Sequence, residues 1–247
     1  MSAPLFLVDA GSLATASAAG SMVLGGSEGR HAATVRRIGV GESVDVSDGQ
    51  GVVARCVVTS VGRDELVLRV VAAEALPAPE PRFVLVQALA KGGRDDLAVE
   101  TATEFGVDEI VPWQAERSVV QWRGERGEKA RSGWAATARA AAKQSRRPRV
   151  PVVSALVGGD GVRRRVAQAA LAVVLHEEAT SPLAAVALPG DGEVLLVVGP
   201  EGGISAQELA AFTAAGATAH RLGPNVLRSS TAGPAALAVL SAAGRWR

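Results

Sequence analysis

The sequence predicts an α/β protein in which a small β-rich domain precedes a larger, mostly parallel sheet covered by helices. Two observations carry this. Residues 73–82, AEALPAPEPR, hold three prolines, which interrupt the hydrophobic pattern and read as a stiff, extended linker. Before it short alternating segments dominate, and after it strand-like and helix-like segments take turns, the signature of a sheet covered on both faces. The expected domains are therefore 1–74 and 75–247.

In the first, Leu5–Val8, Ser43–Val46, Val52–Ser60 and Glu65–Val71 read as strands parted by Gly, Asp and Ser turns. Ser27–Ile38 reads as a helix capped by Ser27. In the second, Phe83–Leu89, Asp108–Pro112, Val150–Val153, Leu171–His176 and Val194–Gly199 read as strands. The intervening helices are expected at Asp95–Phe105, stopped by Gly106, and at Glu128–Ser145, Val162–Gln168, Ser205–Ala215 and Thr231–Ala243. Ser205 and Glu208 stand at the spacing of a capping box.

With 48% hydrophobic and 21% charged residues the chain can bury a proper core. Its single cysteine, Cys56, rules out an internal disulfide and suits a core thiol in a reducing cytoplasm. The segment Met1–Ala10 lacks the basic region of a signal peptide, and apolar runs such as Leu171–Leu175 are strand-sized, so no membrane span is expected. Net charge is only +1, yet residues 113–149 carry ten Lys or Arg against three Glu. They end in Lys143-Gln144-Ser145-Arg146-Arg147-Pro148-Arg149, a band that suits a phosphate backbone. A solvated helix face with a basic tail is the plainer alternative.

Ligands of open α/β sheets bind at the carboxyl ends of strands, which directs attention to three loops. The first is Gly199-Pro200-Glu201-Gly202-Gly203-Ile204-Ser205, directly after the apolar run Val194–Val198. Its three glycines let main chain approach a ligand closely. A phosphate, an adenine bound through main-chain groups, or a tight structural turn would all suit it. It has neither a P-loop ending nor a dinucleotide fingerprint. The second is Leu222-Gly223-Pro224-Asn225-Val226-Leu227-Arg228-Ser229-Ser230-Thr231. Gly-Pro fixes a turn, the hydroxyl cluster is expected to cap the last helix, and no nucleophile elbow surrounds the serines. The third is Leu175-His176-Glu177-Glu178, where neighbours on a strand point to opposite faces and chelate one ion poorly, so no metal is expected.

These loops, in this order, resemble the RsmE family of 16S rRNA uridine-N3 methyltransferases within the SPOUT superfamily. His31-Ala32-Ala33-Thr34-Val35-Arg36-Arg37 is similar to the family's H-x-x-x-V-L-R segment. Ala88-Leu89-Ala90-Lys91-Gly92, Ala102–Val107, Ile110-Val111-Pro112, Glu116-Arg117-Ser118 and the pair Gln144 and Arg147 follow in family order, before GPEGG and LGP-x-x-LR. The chain departs from the family at Asn225, where an Arg is usual, at Ser230, where a Glu is usual, and near Leu5, where an Arg is usual.

The resemblance implies a C-terminal SPOUT domain with a deep trefoil knot, preceded by a PUA-like RNA-binding barrel, in a homodimer. It implies S-adenosylmethionine (SAM) as methyl donor, held by Leu175, His176, Glu177, Gly199, Pro200, Glu201, Gly202, Gly203, Leu222, Gly223, Val226, Leu227 and Arg228, with no metal. Its partner would be 16S rRNA, as part of the 30S subunit. RNA contacts are expected from Arg30, Arg36, Arg37, Lys91, Arg94, Lys143, Gln144, Arg146, Arg147 and Arg149. Arg228, then Arg117, are the expected catalytic residues, stabilising negative charge on the uracil oxygens. A SPOUT enzyme acting on another RNA such as tRNA, or a non-catalytic RNA-binding relative, stands as the alternative.

Overall fold

A computed structural model describes residues 3–13 and 20–246. The chain divides into two compact units, Met1–Ala78 with Ala142–Val150, and Pro79–Ala141 with Pro151–Arg247.

The first unit is built on strands β1 (Leu5–Leu7), β2 (Ser21–Leu24), β3 (Ser43–Ser47), β4 (Val52–Val61) and β5 (Leu66–Ala75). They form one sheet in the order β1-β3-β4-β5-β2, with β1 parallel to β3 and the other pairs antiparallel. Alternation drives it: Val44 and Val46, then Ala54, Cys56 and Val58, then Leu66 and Leu68 all turn to one buried core with Phe6. Two irregularities in β4, at Arg55/Cys56 and Val58/Ser60, curl the sheet. Burial, with Asp45 nearby, pushes the Cys56 thiol up to about 11, so it stays protonated and apolar in character.

The expected helix over residues 27–38 is shorter and differently begun. It is α1 (Gly26–Arg30), continued by a π-turn over His31–Val35. Its N-cap is Gly25, with no side-chain cap, so Ser27 lies inside the first turn instead of capping it. The reason is a close approach: a Cβ on Gly29 would lie 2.3 Å from Leu24 O and 2.6 Å from Asp64 O. Packing against that main chain, not a local cap, sets where the helix sits.

Residues 142–150 join this unit through main chain and charge. Ser47 Oγ donates to Pro148 O at 2.8 Å, and Gln50 bridges Arg149. Lys143 pairs with Glu28 at 2.7 Å and lies 5.1 Å from the centre of the Phe6 ring. Arg149 donates to Gln50 O and Leu76 O. Gln144 and Arg146 are exposed, and Arg147 is half-buried.

The second unit is a six-stranded, wholly parallel sheet. Its strands are β6 (Arg82–Ala88), β7 (Glu109–Trp113), β8 (Val152–Val153), β9 (Leu171–Leu175), β10 (Glu193–Val198) and β11 (Thr218–His220), in the order β11-β9-β10-β6-β7-β8. Helices α2 (Arg94–Glu104), α3 (Gly124–Gln144), α4 (Gly159–Gln168), α5 (Ala206–Ala214) and α6 (Ser229–Ala243) complete it. Phe83, Leu85, Val173, Val194 and Leu196 pack on one face with Val99, Ala138 and Leu237. Val84, Val86, Leu195 and Val197 pack on the other with Val162 and Phe212. Both faces are thus covered, as the near-continuous apolar strands require.

Beneath one end of this sheet Glu109 is buried, with 5% exposure. It accepts hydrogen bonds from Arg165, Ser154 and Arg82, and both arginines also reach Glu193. Burial raises the Glu109 carboxyl, but the bonds from Arg165, Ser154 and Arg82 outweigh it and hold the group at about 2. Among the described residues no helix is long and apolar enough to cross a membrane.

Candidate active site

The strand order makes β11, β9 and β10 immediate neighbours, so the chain segments leaving their carboxyl ends meet. The β9 exit is tied to the β11 exit by His176 N–H donating to His220 O at 3.0 Å. Beyond it, Arg221 pairs with the returning segment, donating to Ser181 O at 3.0 Å and accepting from Leu183 N at 2.8 Å. Together with residues 199–206 these segments enclose a cleft of about 670 Å³, a size that suits a small ligand. Every residue of Leu175–Glu177, Gly199–Gly203 and the set Leu222, Gly223, Val226, Leu227 and Arg228 lines it, and so do Arg94 and Arg117. Lys91 is exposed and Arg94 half-buried.

The glycine loop is shaped by contacts that a side chain would block. A Cβ on Gly199 would lie 2.6 Å from Ile204 Cγ1, and one on Gly202 would lie 3.1 Å from Arg117 Cβ. Gly203 takes a left-handed φ of 74°. The loop then enters α5 through Ser205, whose hydroxyl accepts from Glu208 N–H at 3.2 Å while Glu208 accepts from Ser205 N–H at 3.1 Å. This is the capping box that the spacing predicts.

Glu208 also accepts from Glu116 N–H at 2.8 Å, which fastens the segment carrying Arg117 to the same helix start. Arg117 itself donates to Gly202 O at 3.2 Å. Across the loop Arg94 pairs with Glu201 at 3.0 Å. Burial raises the Glu201 carboxyl, but its own main-chain N–H, Arg94 and the Lys91 N–H together hold it below its ordinary value. Replacing Glu208 by alanine is expected to lower stability by about 2 kcal/mol, since one cap and one buried N–H lose their acceptor. Urea unfolding of the variant beside the parent chain measures it.

The last loop differs from its reading in the sequence. Arg228 is the N-cap of α6 and no side chain caps the helix. Ser229, Ser230 and Thr231 are its first turn, and Thr231 Oγ1 donates back to Arg228 O at 3.1 Å. Ser229 lines the cleft, is buried, and its Oγ has no hydrogen-bond partner among the described residues. Sequence reasoning missed it: a residue assigned to capping lines the cleft, and its buried hydroxyl is unpartnered among the described residues. His220 and Arg221 were missed as well, because β11 is only three residues long. His176, read as strand, lies just past β9, where its Nδ1 accepts from Glu178 N–H at 3.3 Å. Among the described residues no group of three or more His, Cys, Asp or Glu is placed to hold a metal.

Comparison with known proteins places this wholly parallel sheet, with its cleft at three adjoining strand tips, in the class of RNA methyltransferase domains. The RNA methyltransferase domain family matches residues 78–241, and the RNA methyltransferase PUA domain matches residues 24–71. A Mycobacterium bovis protein named ribosomal RNA small subunit methyltransferase E is 48% identical over 91% of this chain and 87% of its own length. A Bacillus subtilis protein of the same name is 30% identical over 87% of this chain and 88% of its own. A methyltransferase from Legionella pneumophila, solved in complex with the bound cofactor SAM, superposes with a TM-score of 0.79 at 27% identity, covering 98% of each chain. The chain belongs to the family of RNA methyltransferases whose curated members carry the name ribosomal RNA small subunit methyltransferase E. The α/β class and the PUA-like small domain read from the sequence are borne out with it.

Proposed function

We propose that this chain transfers a methyl group from SAM to N3 of a uridine in 16S rRNA, as a cytoplasmic homodimer acting on the 30S subunit. The observation that carries the reading is the convergence of the three loops on one cleft. The residues fit the cofactor. Side chains at Gly199 and Gly202 would fill space the loop needs. Leu175–Glu177, Gly199–Gly203, Leu222, Gly223, Val226, Leu227 and the main chain of Arg228 would hold the cofactor. The chemistry it supplies is a sulfonium methyl, whose S–C bond breaks as an N–C bond to the uracil forms.

This chain's own residues position and polarise. Uracil N3 must lose its proton, which this reading assigns to solvent. Arg228 and Arg117, both exposed at the cleft, stabilise the anionic uracil through its oxygens, and alignment of bound partners supplies about 7–11 kcal/mol of the barrier. Arg117 keeps one donor on Gly202 O, and a guanidinium carries four more. RNA is attracted by Arg30, Arg36, Arg37, Lys91, Gln144, Arg146 and Arg147. Lys143, Arg149 and Arg94 contribute field more than contact, since each already has a partner in its own unit.

Exposed apolar side chains support the dimer. Val226 is 75% and Leu227 40% exposed on the cleft rim, and Val119 is 75% exposed, an arrangement that favours cover by a second copy. The trefoil threading belongs to the same reading. Two measurements test the whole. Calorimetric titration is expected to show one SAM per chain, and mass spectrometry of 16S rRNA from cells lacking the protein is expected to show loss of one methyluridine. A chain with no affinity for SAM would overturn the reading.

A further inference from the structure

A second concavity lies wholly within the first unit, lined by Gly26, Ser27, Arg30, His31, Val35 and Asp64, with a volume of about 670 Å³. It is built, not incidental. Gly29 lacks a side chain where one would strike Leu24 O and Asp64 O, and that close approach brings the turn before β5 against α1. Thr34 Oγ1 ties the π-turn to the same turn by donating to Arg63 O at 3.1 Å. His31 is fixed from behind by Phe6, edge-on at 6.3 Å between ring centres.

Two uncommon backbone states adjoin it. One is the π-turn His31–Val35 itself, a feature that clusters at functional sites. The other is Arg37, a non-glycine residue held at φ 54°. Arg30 lines the cavity with Asp64, and the exposed Arg36 and Arg63 adjoin the lining residues Val35 and Asp64 along the chain. Within this rim Asp64 is exposed and Val35 is 65% exposed.

We propose that this cavity is a nucleotide site of its own, in which one unpaired RNA nucleotide lays its base against His31 and Val35. Asp64 accepts an N–H of that base, and Arg30 meets its phosphate. Single-stranded nucleic acid is held in this way, by a cationic track beside a stacking surface. The inference rests on the reading that the substrate is RNA, and it concerns a site separate from the methyl-transfer cleft.

The sign of one charge change tests it. Were the cavity only a positive patch, removing the Asp64 carboxylate would strengthen RNA binding, because a repulsive charge is lost. Were the Asp64 carboxylate a charge-assisted acceptor for a base N–H, Asp64→Asn would weaken binding, because the amide oxygen that remains accepts more weakly. The full-length chain is titrated with a short single-stranded oligoribonucleotide and with the same strand annealed to its complement. The parent chain is expected to prefer the single strand. Both Asp64→Asn and His31→Ala are expected to lose that preference, with single-strand affinity falling on the order of tenfold for His31→Ala and duplex affinity little changed. Asp64 is exposed, so its variant keeps the fold even if the His31 variant does not. Tighter binding by Asp64→Asn, or an undiminished preference for the single strand in it, would overturn the proposal. SAM titrated into the same samples reports separately on the methyl-transfer reading, because that cleft shares no residue with this cavity.

Discussion

Replacing Arg228 by alanine is expected to lower methyl transfer by about 10²–10³-fold, the effect of removing one preorganised donor to a developing anion. SAM affinity and the fold are expected to survive. Arg228 is exposed, is the N-cap of α6, and contributes no side-chain cap, so its truncation removes no structural bond of the helix. Single-turnover methylation of 16S rRNA, run beside a SAM titration, separates the two effects. Full activity in the variant would take Arg228 out of the mechanism. Arg117→Ala is the informative partner, since it also loses the bond to Gly202 O and is expected to affect cofactor affinity as well as rate.

The largest effect on stability is expected at Glu109. Glu109→Gln leaves Arg82 and Arg165 facing one carboxylate, Glu193, instead of two. Breaking a buried ionic network of this kind costs about 3–5 kcal/mol, and the remaining Glu193 pairs put the expected loss near the lower end. The pH dependence follows from the depressed carboxyl. Its ordinary value of 4.5 falls to about 2 in the folded chain, so its contribution is complete above 4.5 and is lost as pH falls through that interval towards 2. The difference between parent and variant should therefore be full at neutral pH and shrink across the same acid range. Urea unfolding at a series of pH values measures it, and a difference that stays constant down to pH 2 would contradict the assignment.

What the sequence made legible was mostly local. The glycine loop after β10 and the Ser205–Glu208 box depend on residues a few positions apart, and both form as their spacing predicts. The three loops could be picked out because parallel strands present their exits on one side. Their adjacency could not, since it requires β9 to lie between β11 and β10, a matter of pairing across the chain. Elements with a weak pattern escaped. β2 buries only Leu24 fully, and β11 has three residues.

The failures at α1 and α6 have a common cause. Ser27 and Ser229 are good capping residues by type, but each helix begins ahead of them, α1 because Gly29 lets it press on distant main chain and α6 because it opens at Arg228. Tertiary contact outweighs a cap worth about 1 kcal/mol. The membership of residues 142–150 in the first unit is equally non-local, resting on Ser47, Glu28 and Gln50, which are far away along the chain.

Glu208 is not among the residues that line the cleft, yet its two oxygens hold both the start of the helix after the glycine loop and the segment carrying Arg117. A single carboxylate thereby joins two segments of the cleft wall into one mechanical body. An alteration there would be felt at the cleft as a change of shape, and a screen for activity would score it as a contact it never makes. Engineering of either segment has to keep this shared anchor or supply two in its place.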